Sequence, residues 1–340
     1  MMIWDALRGH ANQREMFLRA ISRGRLPHAL LLCGPSGIGK QRFARILAQC
    51  LFCEKYTDHE LNACGQCPSC RQMQAETHPD FLFVECPEGK REFPIDLIAG
   101  RRENRGREGL CYDISLKPVA SDRKIALLDD VDLMNEESAN AFLKTLEEPP
   151  EYATLILLAG SRDSLLPTIQ SRCQIVRFSR LSDDDVAELL LDLQMVESAE
   201  EARRLAPMCD GSLETASQLL TSESRELRKT VLDILAKPDF HATESAEKVI
   251  EVLESLGDTN AQRQGVVWVV HYCMEHFRQR LRELSSEHSE GTDETTYFAA
   301  EQIGMMMERS AEALRQIESM APVALCVQGL FNDLPRFARQ

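Results

Sequence analysis

The feature that most constrains this chain is an apolar run that breaks into glycines, Ala29-Leu30-Leu31-Leu32-Cys33 followed at once by Gly34-Pro35-Ser36-Gly37-Ile38-Gly39-Lys40. A short, continuously apolar run reads as a strand buried on both faces, which calls for a parallel sheet covered by helices. The G-x-x-x-x-G-K spacing after such a strand, ahead of a helical pattern from Gln41, is that of a phosphate-binding loop. Its glycines let backbone N–H groups wrap an anion at a helix N-terminus, and Lys40 reaches the terminal phosphates. A glycine-rich turn without a ligand is the competing reading, and the strand–loop–helix context weighs against it. ATP with Mg²⁺ is therefore the candidate ligand of Gly34, Pro35, Ser36, Gly37, Ile38, Gly39, Lys40 and Gln41. Position 41 departs from the pattern. A Ser or Thr hydroxyl there would coordinate Mg²⁺, and the longer neutral amide of Gln41 does so with different geometry, which weakens hydrolysis more than binding.

Further apolar runs at Phe81–Val84, Ile125–Leu128 and Leu155–Leu158 predict three more strands and an α/β class. The third strand ends in Asp129-Asp130-Val131-Asp132. Asp129 is placed to serve Mg²⁺, directly or through water, with Asp130 next to it. An ordinary acidic turn is the alternative. A helix with Asn135 as its cap and Ala139, Phe142, Leu143 and Leu146 as its apolar stripe precedes the fourth strand, and Pro149-Pro150 stops it. Near residue 180 the pattern turns helical, with Ser182 as an N-cap and Leu181 placed to staple onto Val186. The expected domains are an α/β unit at 1–180, a small helical unit at 181–224 and a larger helical unit at 225–340. Residues 285–296 read as a polar loop between helices.

Cys53, Cys64, Cys67 and Cys70 are spaced x10, x2 and x2, while the other eight of the twelve cysteines are scattered. Four thiolates in one compact segment suit tetrahedral Zn²⁺ in a closed structural site within an insertion at about 50–75. A redox dithiol is the rival, and the fourth cysteine argues for metal. Nothing at the start of the chain resembles a secretory signal, and no apolar stretch is long enough to span a membrane, so a cytoplasmic location is expected. The formal net charge of −15 argues against autonomous DNA binding through a basic surface. Arg101, Arg102, Arg105 and Arg107 are a local exception, read as a solvated loop or helix face.

Taken in order, the glycine loop, the four-cysteine insertion, His78-Pro79-Asp80, the acidic strand end, Ala139-Asn140-Ala141-Phe142-Leu143-Lys144-Thr145-Leu146-Glu147-Glu148-Pro149-Pro150 and Ser171-Arg172-Cys173 resemble bacterial DNA polymerase III clamp loaders, of the gamma/tau and delta-prime types. The resemblance covers about residues 5–220. It implies a AAA+ P-loop domain with a parallel sheet and zinc-binding insertion, a helical lid, and an all-α collar that builds a hetero-oligomer. The implied partners are gamma/tau and delta subunits, the sliding clamp and, indirectly, primed DNA. In that family Ser-Arg-Cys carries an arginine finger serving a neighbouring subunit's ATP, which assigns that role to Arg172. Four positions depart from the active members: Gln41, Asp130, Gly160 and Glu214, the last standing where an arginine clamps the γ-phosphate. All four weaken hydrolysis in cis and leave Arg172 intact, which is the delta-prime pattern. An active gamma/tau-type ATPase is the alternative, and a stand-alone zinc-dependent nucleotide sensor a third possibility.

Overall fold

The computed structural model describes residues 3–87, 90, 92–161, 165–237, 240–287 and 294–337. The chain divides into two compact units, Met1–Thr215 and Ala216–Gln340.

In the first unit α1 (Ala11–Ser22) precedes β1 (Ala29–Cys33), and α2 (Lys40–Phe52) follows the glycine loop. Then come α3 (Pro68–Gln74), β2 (Phe81–Val84), α4 (Ile95–Ala99), α5 (Leu110–Ser115) and β3 (Lys124–Leu128). The α/β part closes with α6 (Glu136–Glu147), β4 (Ala153–Ala159), α7 (Pro167–Gln170) and β5 (Gln174–Arg177), and α8 (Asp183–Asp192), α9 (Ala199–Leu205) and α10 (Leu213–Leu219) follow. The five strands pair in parallel in the order β2-β3-β4-β1-β5. Every residue of β1 and β3 is buried, as their unbroken apolar composition requires. Ala126, Leu128, Leu155 and Leu157 pack one face of the sheet against Ile98, Ile114, Phe142 and Leu146.

All four expected strands form, with β4 longer at both ends than its apolar run. The fifth strand, β5, was not anticipated: Gln174 and Arg177 are exposed and only Val176 is buried, so the sequence carries no apolar run to mark it. Asn135 caps α6 as expected, its side-chain oxygen accepting the Ser138 N–H at 3.0 Å, and Ser182 caps α8 by accepting the Asp185 N–H at 3.1 Å. Less expected is the use of Asp80. Its carboxylate is wholly buried and accepts the N–H groups of Val119, Ala120 and Ser121 at 2.7, 2.8 and 2.9 Å, which pins the turn that feeds β3.

The second unit consists, beyond the end of α10, of α11 (Ser222–Leu235), α12 (Ala242–Ser255), α13 (Thr259–Glu287), α14 (Glu294–Glu318) and α15 (Val323–Phe337). Val249, Leu253, Val269, Cys273, Leu330 and Phe331 are fully or almost fully buried in it. Arg263 donates to the carbonyls of Ile317, Met320 and Ala321 at 2.8–3.1 Å, which satisfies acceptors left open at the C-terminal end of α14. The loop expected at 285–296 is shorter than its polarity suggested. Helix α13 runs into it as far as Glu287 and α14 begins at Glu294, because Glu, Ser and Thr cost a helix only about a few tenths of a kcal/mol each and do not stop it as Gly or Pro would. Residues 288–293 lie outside the described residues.

Candidate functional site

The loop between β1 and α2 leaves the sheet at the carboxyl end of a central strand, where open α/β sheets present ligand crevices. Gly37 and Gly39 have φ of +71° and +95°, which L side chains rarely adopt. At Gly37 the constraint is double, since a Cβ would lie 2.2 Å from Ser212 Oγ and 2.6 Å from Glu214 Cβ. The loop tip therefore lies against the first turn of α10. The Leu213 N–H donates to Gly37 O at 2.9 Å, and Ser36 Oγ donates to the Glu214 carboxylate at 2.5 Å.

Lys40 is buried, and its ammonium turns back on the loop, donating to the carbonyls of Gly34 and Pro35 at 2.7 and 2.6 Å. Burial lowers its pKa, against the opposing pull of Asp129, Asp132 and Asp130. Gln41 reaches across the sheet end and donates from its amide to Asp129 at 3.0 Å. The position expected to serve the metal and the acid expected to hold it thus bond to each other. Asp130 adopts a left-handed conformation, φ +56°. Partial desolvation, followed by the charges of Asp129, Asp132 and Glu85, raises its carboxyl to about 6. Beside it, the Gly160 N–H donates to Asp132 at 3.3 Å.

No sequence signal marks His10, which is buried, donates from Nε2 to the carbonyl of Ile38 at 2.7 Å, and stacks edge-on against Phe178. It props the loop from behind. A lone histidine before a helix is indistinguishable in the sequence from a surface residue, so only the fold reveals the contact.

Arg172 stands apart from this cluster, between α7 and β5. Its guanidinium donates to Glu147, the first glutamate of the Leu-Glu-Glu-Pro-Pro turn, and to the carbonyl of Thr168 at 2.9 Å. The pair is at the surface, with side chains 31% and 48% exposed.

The second site lies between α2 and α3. The Sγ atoms of Cys53, Cys64, Cys67 and Cys70 all lie within 4.8 Å of one another, and Cys64 and Cys70 are 3.9 Å apart. Four sulfurs at the usual Zn–S bond length around a tetrahedral ion would stand about 3.8 Å apart. Cys64 Sγ accepts N–H groups of Gln66 and Cys67 at 3.4 and 3.3 Å, Cys67 Sγ that of Cys70 at 3.4 Å, and Cys53 Sγ that of Cys64 at 3.4 Å. Such donors stabilise thiolates. Those of Gln66 and Cys67 lower the Cys64 pKa to about 6, whereas burial raises Cys70. The two shifts differ because Cys64 faces amides at the rim and Cys70 is enclosed; a dication would ionise both. The cluster can hold a metal ion.

A parallel sheet with this strand order, a glycine loop after a central strand, acids at the end of β3 and a small helical bundle beyond define the AAA+ class of P-loop proteins. A family model described as "DNA polymerase III, delta subunit" matches residues 9–182. The chain is 32% identical to the DNA polymerase III subunit delta' of Pseudomonas aeruginosa over 66% of its own length and 65% of that protein's. It is 28% identical to the delta' subunit of Haemophilus influenzae, covering 89% of each chain. With the tau subunit of Escherichia coli it shares 28% over 72% of its length, which is 36% of tau. In the Pseudomonas and tau matches it thus spans less than two thirds of the relative. The chain belongs to the family that the matching model describes, DNA polymerase III, delta subunit, and both delta' and gamma/tau subunits are among its relatives. Among the described residues, no helix is long and apolar enough to cross a membrane.

Proposed function

We propose that this chain serves as a non-hydrolysing, delta-prime-like subunit of a cytoplasmic clamp-loader hetero-oligomer, alongside gamma/tau and delta subunits, and helps load a sliding clamp on primed DNA. In this reading Zn²⁺ staples the four-cysteine insertion, the helices after residue 180 are a lid, and the helical unit from about 225 is the collar. The observation that carries it is the bonding of Lys40, Ser36 and Gln41 to the protein's own carbonyls and carboxylates. These three side chains, which would grip phosphate or metal, each have an internal partner, so a nucleotide has to displace these contacts before it gains them.

Arg172 is the group proposed to act in trans on a neighbouring subunit's ATP, where a fixed, planar cation stabilises charge on the transferring phosphoryl group. Its bond to Glu147 does not oppose this strongly, since an ion pair this exposed is worth about 0–1 kcal/mol and exchanges readily. The tau similarity keeps an active gamma/tau-type ATPase as the second reading. The two separate in a complex reconstituted with gamma/tau and delta subunits. Arg172→Ala should lower ATP turnover at the site it serves at least about tenfold while leaving assembly intact by size-exclusion chromatography. Lys40→Ala should leave turnover unchanged. Turnover by the isolated chain that vanishes with Lys40→Ala would sink the proposal in favour of the second reading.

A further inference from the structure

The Arg172 side chain does not stand free at the surface; its own domain holds it from two directions. Nε and Nη2 both donate to one carboxylate oxygen of Glu147, Nε at 2.8 Å. On the other side Nη1 donates to the Thr168 carbonyl at 2.9 Å and to Ser171 Oγ at 3.2 Å. Glu147 is the last residue of α6, whereas Thr168 lies in α7 and Ser171 directly follows it. Two elements separate in the chain thus meet on one side chain.

A guanidinium presents its N–H donors in a rigid fork, and it binds a phosphate best through two parallel donors of one edge. Here the edge made by Nε and Nη2 lies on Glu147, and Nη1 is taken by Thr168 and Ser171. No edge is left open for a bidentate contact. An incoming phosphate therefore has to take the place of one of these holders. Glu147 is the only charged one and the one that receives two donors. Carboxylate and phosphate are both oxyanions, so the exchange keeps the cation paired, and both side chains are partly exposed, so water eases it. A carboxylate that stayed in place would offset the charge that a transferring phosphoryl group calls for.

We propose that Glu147 is an intrachain competitor for Arg172: it holds the guanidinium until the terminal phosphate of a neighbouring subunit's ATP displaces it, and so weakens that subunit's grip on ATP. The inference rests on the trans-acting role proposed above for Arg172 and names its regulation. A diphosphate lacks the terminal group and leaves the pair closed.

The test uses the chain reconstituted with gamma/tau and delta subunits, the phosphate-loop lysine being replaced by alanine in every ATPase subunit except the one that Arg172 serves. A non-hydrolysable ATP analogue and ADP are titrated by calorimetry. An exposed ion pair shifts an equilibrium by up to about fivefold. Glu147→Gln, which keeps the size of the side chain, should therefore tighten the analogue about two- to fivefold and leave ADP affinity unchanged. In an Arg172→Ala background the same substitution should do nothing. Glu151→Gln, which removes a nearby exposed carboxylate, should alter neither affinity, and unchanged melting temperatures verify the fold. The inference is overturned by unchanged analogue affinity in Glu147→Gln, by an equal gain for ADP, or by a gain that survives Arg172→Ala. It is also overturned by lower turnover at unaltered affinity, which would make Glu147 a prop for the arginine instead of its competitor. If Arg172→Ala alone changes neither analogue affinity nor turnover, the trans-acting reading itself falls, and this inference with it.

Discussion

The glycine loop and the cysteine loop both carry ligand-binding motifs, and the structure treats them in opposite ways. In the glycine loop Lys40 bonds to Gly34 and Pro35, Ser36 to Glu214, and Gln41 to Asp129. In the cysteine loop four sulfurs converge within 4.8 Å, three of them accept backbone N–H groups, and among the described residues bonded to them there is no cation of the protein. A motif fixes backbone geometry. Whether a ligand is still required shows in whether the polar groups at its focus already have partners.

The sharpest way to break the comparison is at the cysteines. One zinc per chain should be found by metal analysis and lost in a Cys64→Ser/Cys67→Ser double variant, with local destabilisation of several kcal/mol read as protease sensitivity between α2 and α3. Retained stability without metal would put this loop in the same self-satisfied class as the other.

A smaller effect is expected from opening the glycine loop. Glu214→Arg with Gln41→Thr removes the acceptor of Ser36 and the donor to Asp129 and supplies a cation and a hydroxyl. Nucleotide affinity measured by calorimetry should rise about tenfold or more. Unchanged affinity would mean that these contacts do not limit nucleotide binding.

Two further effects are electrostatic and opposite in sign. Asp130 has its pKa raised to about 6 in the fold, so the folded state holds a proton that the unfolded chain releases near pH 4. Its contribution is fully present below that pH and is lost as pH rises through 6. Asp130→Asn should therefore raise the melting temperature by a few degrees at pH 7.5 and by progressively less towards pH 4. For Asp80, burial would raise the pKa, but the donors of Val119, Ala120 and Ser121 outweigh it and hold it below the usual range. Its stabilisation is present above pH 4 and fades as pH falls below that. Asp80→Ala should remove that acid sensitivity and, by leaving three amides without their acceptor, cost about 2–4 kcal/mol in chemical denaturation.

Sequence alone determined the elements whose physics is local. Unbroken apolar runs gave β1 to β4, Asn135 and Ser182 gave two helix starts, glycine spacing gave the loop, and cysteine spacing gave the four-sulfur cluster. Each depends on steric preference, capping or ligand count within a few neighbours along the chain. Only the tertiary structure decided what lies across the sheet and between distant segments. It supplied β5, whose pairing with β1 replaces the apolar run it lacks. It brought Glu214 onto Ser36, which lies 178 residues away, and Asp129 onto Gln41, and it seated the Arg172 side chain on Glu147. A side chain's intrinsic chemistry can be read one residue at a time, but its partner is chosen by packing of the whole domain. In this chain those partners are Glu214 for Ser36, Asp129 for Gln41 and Glu147 for Arg172.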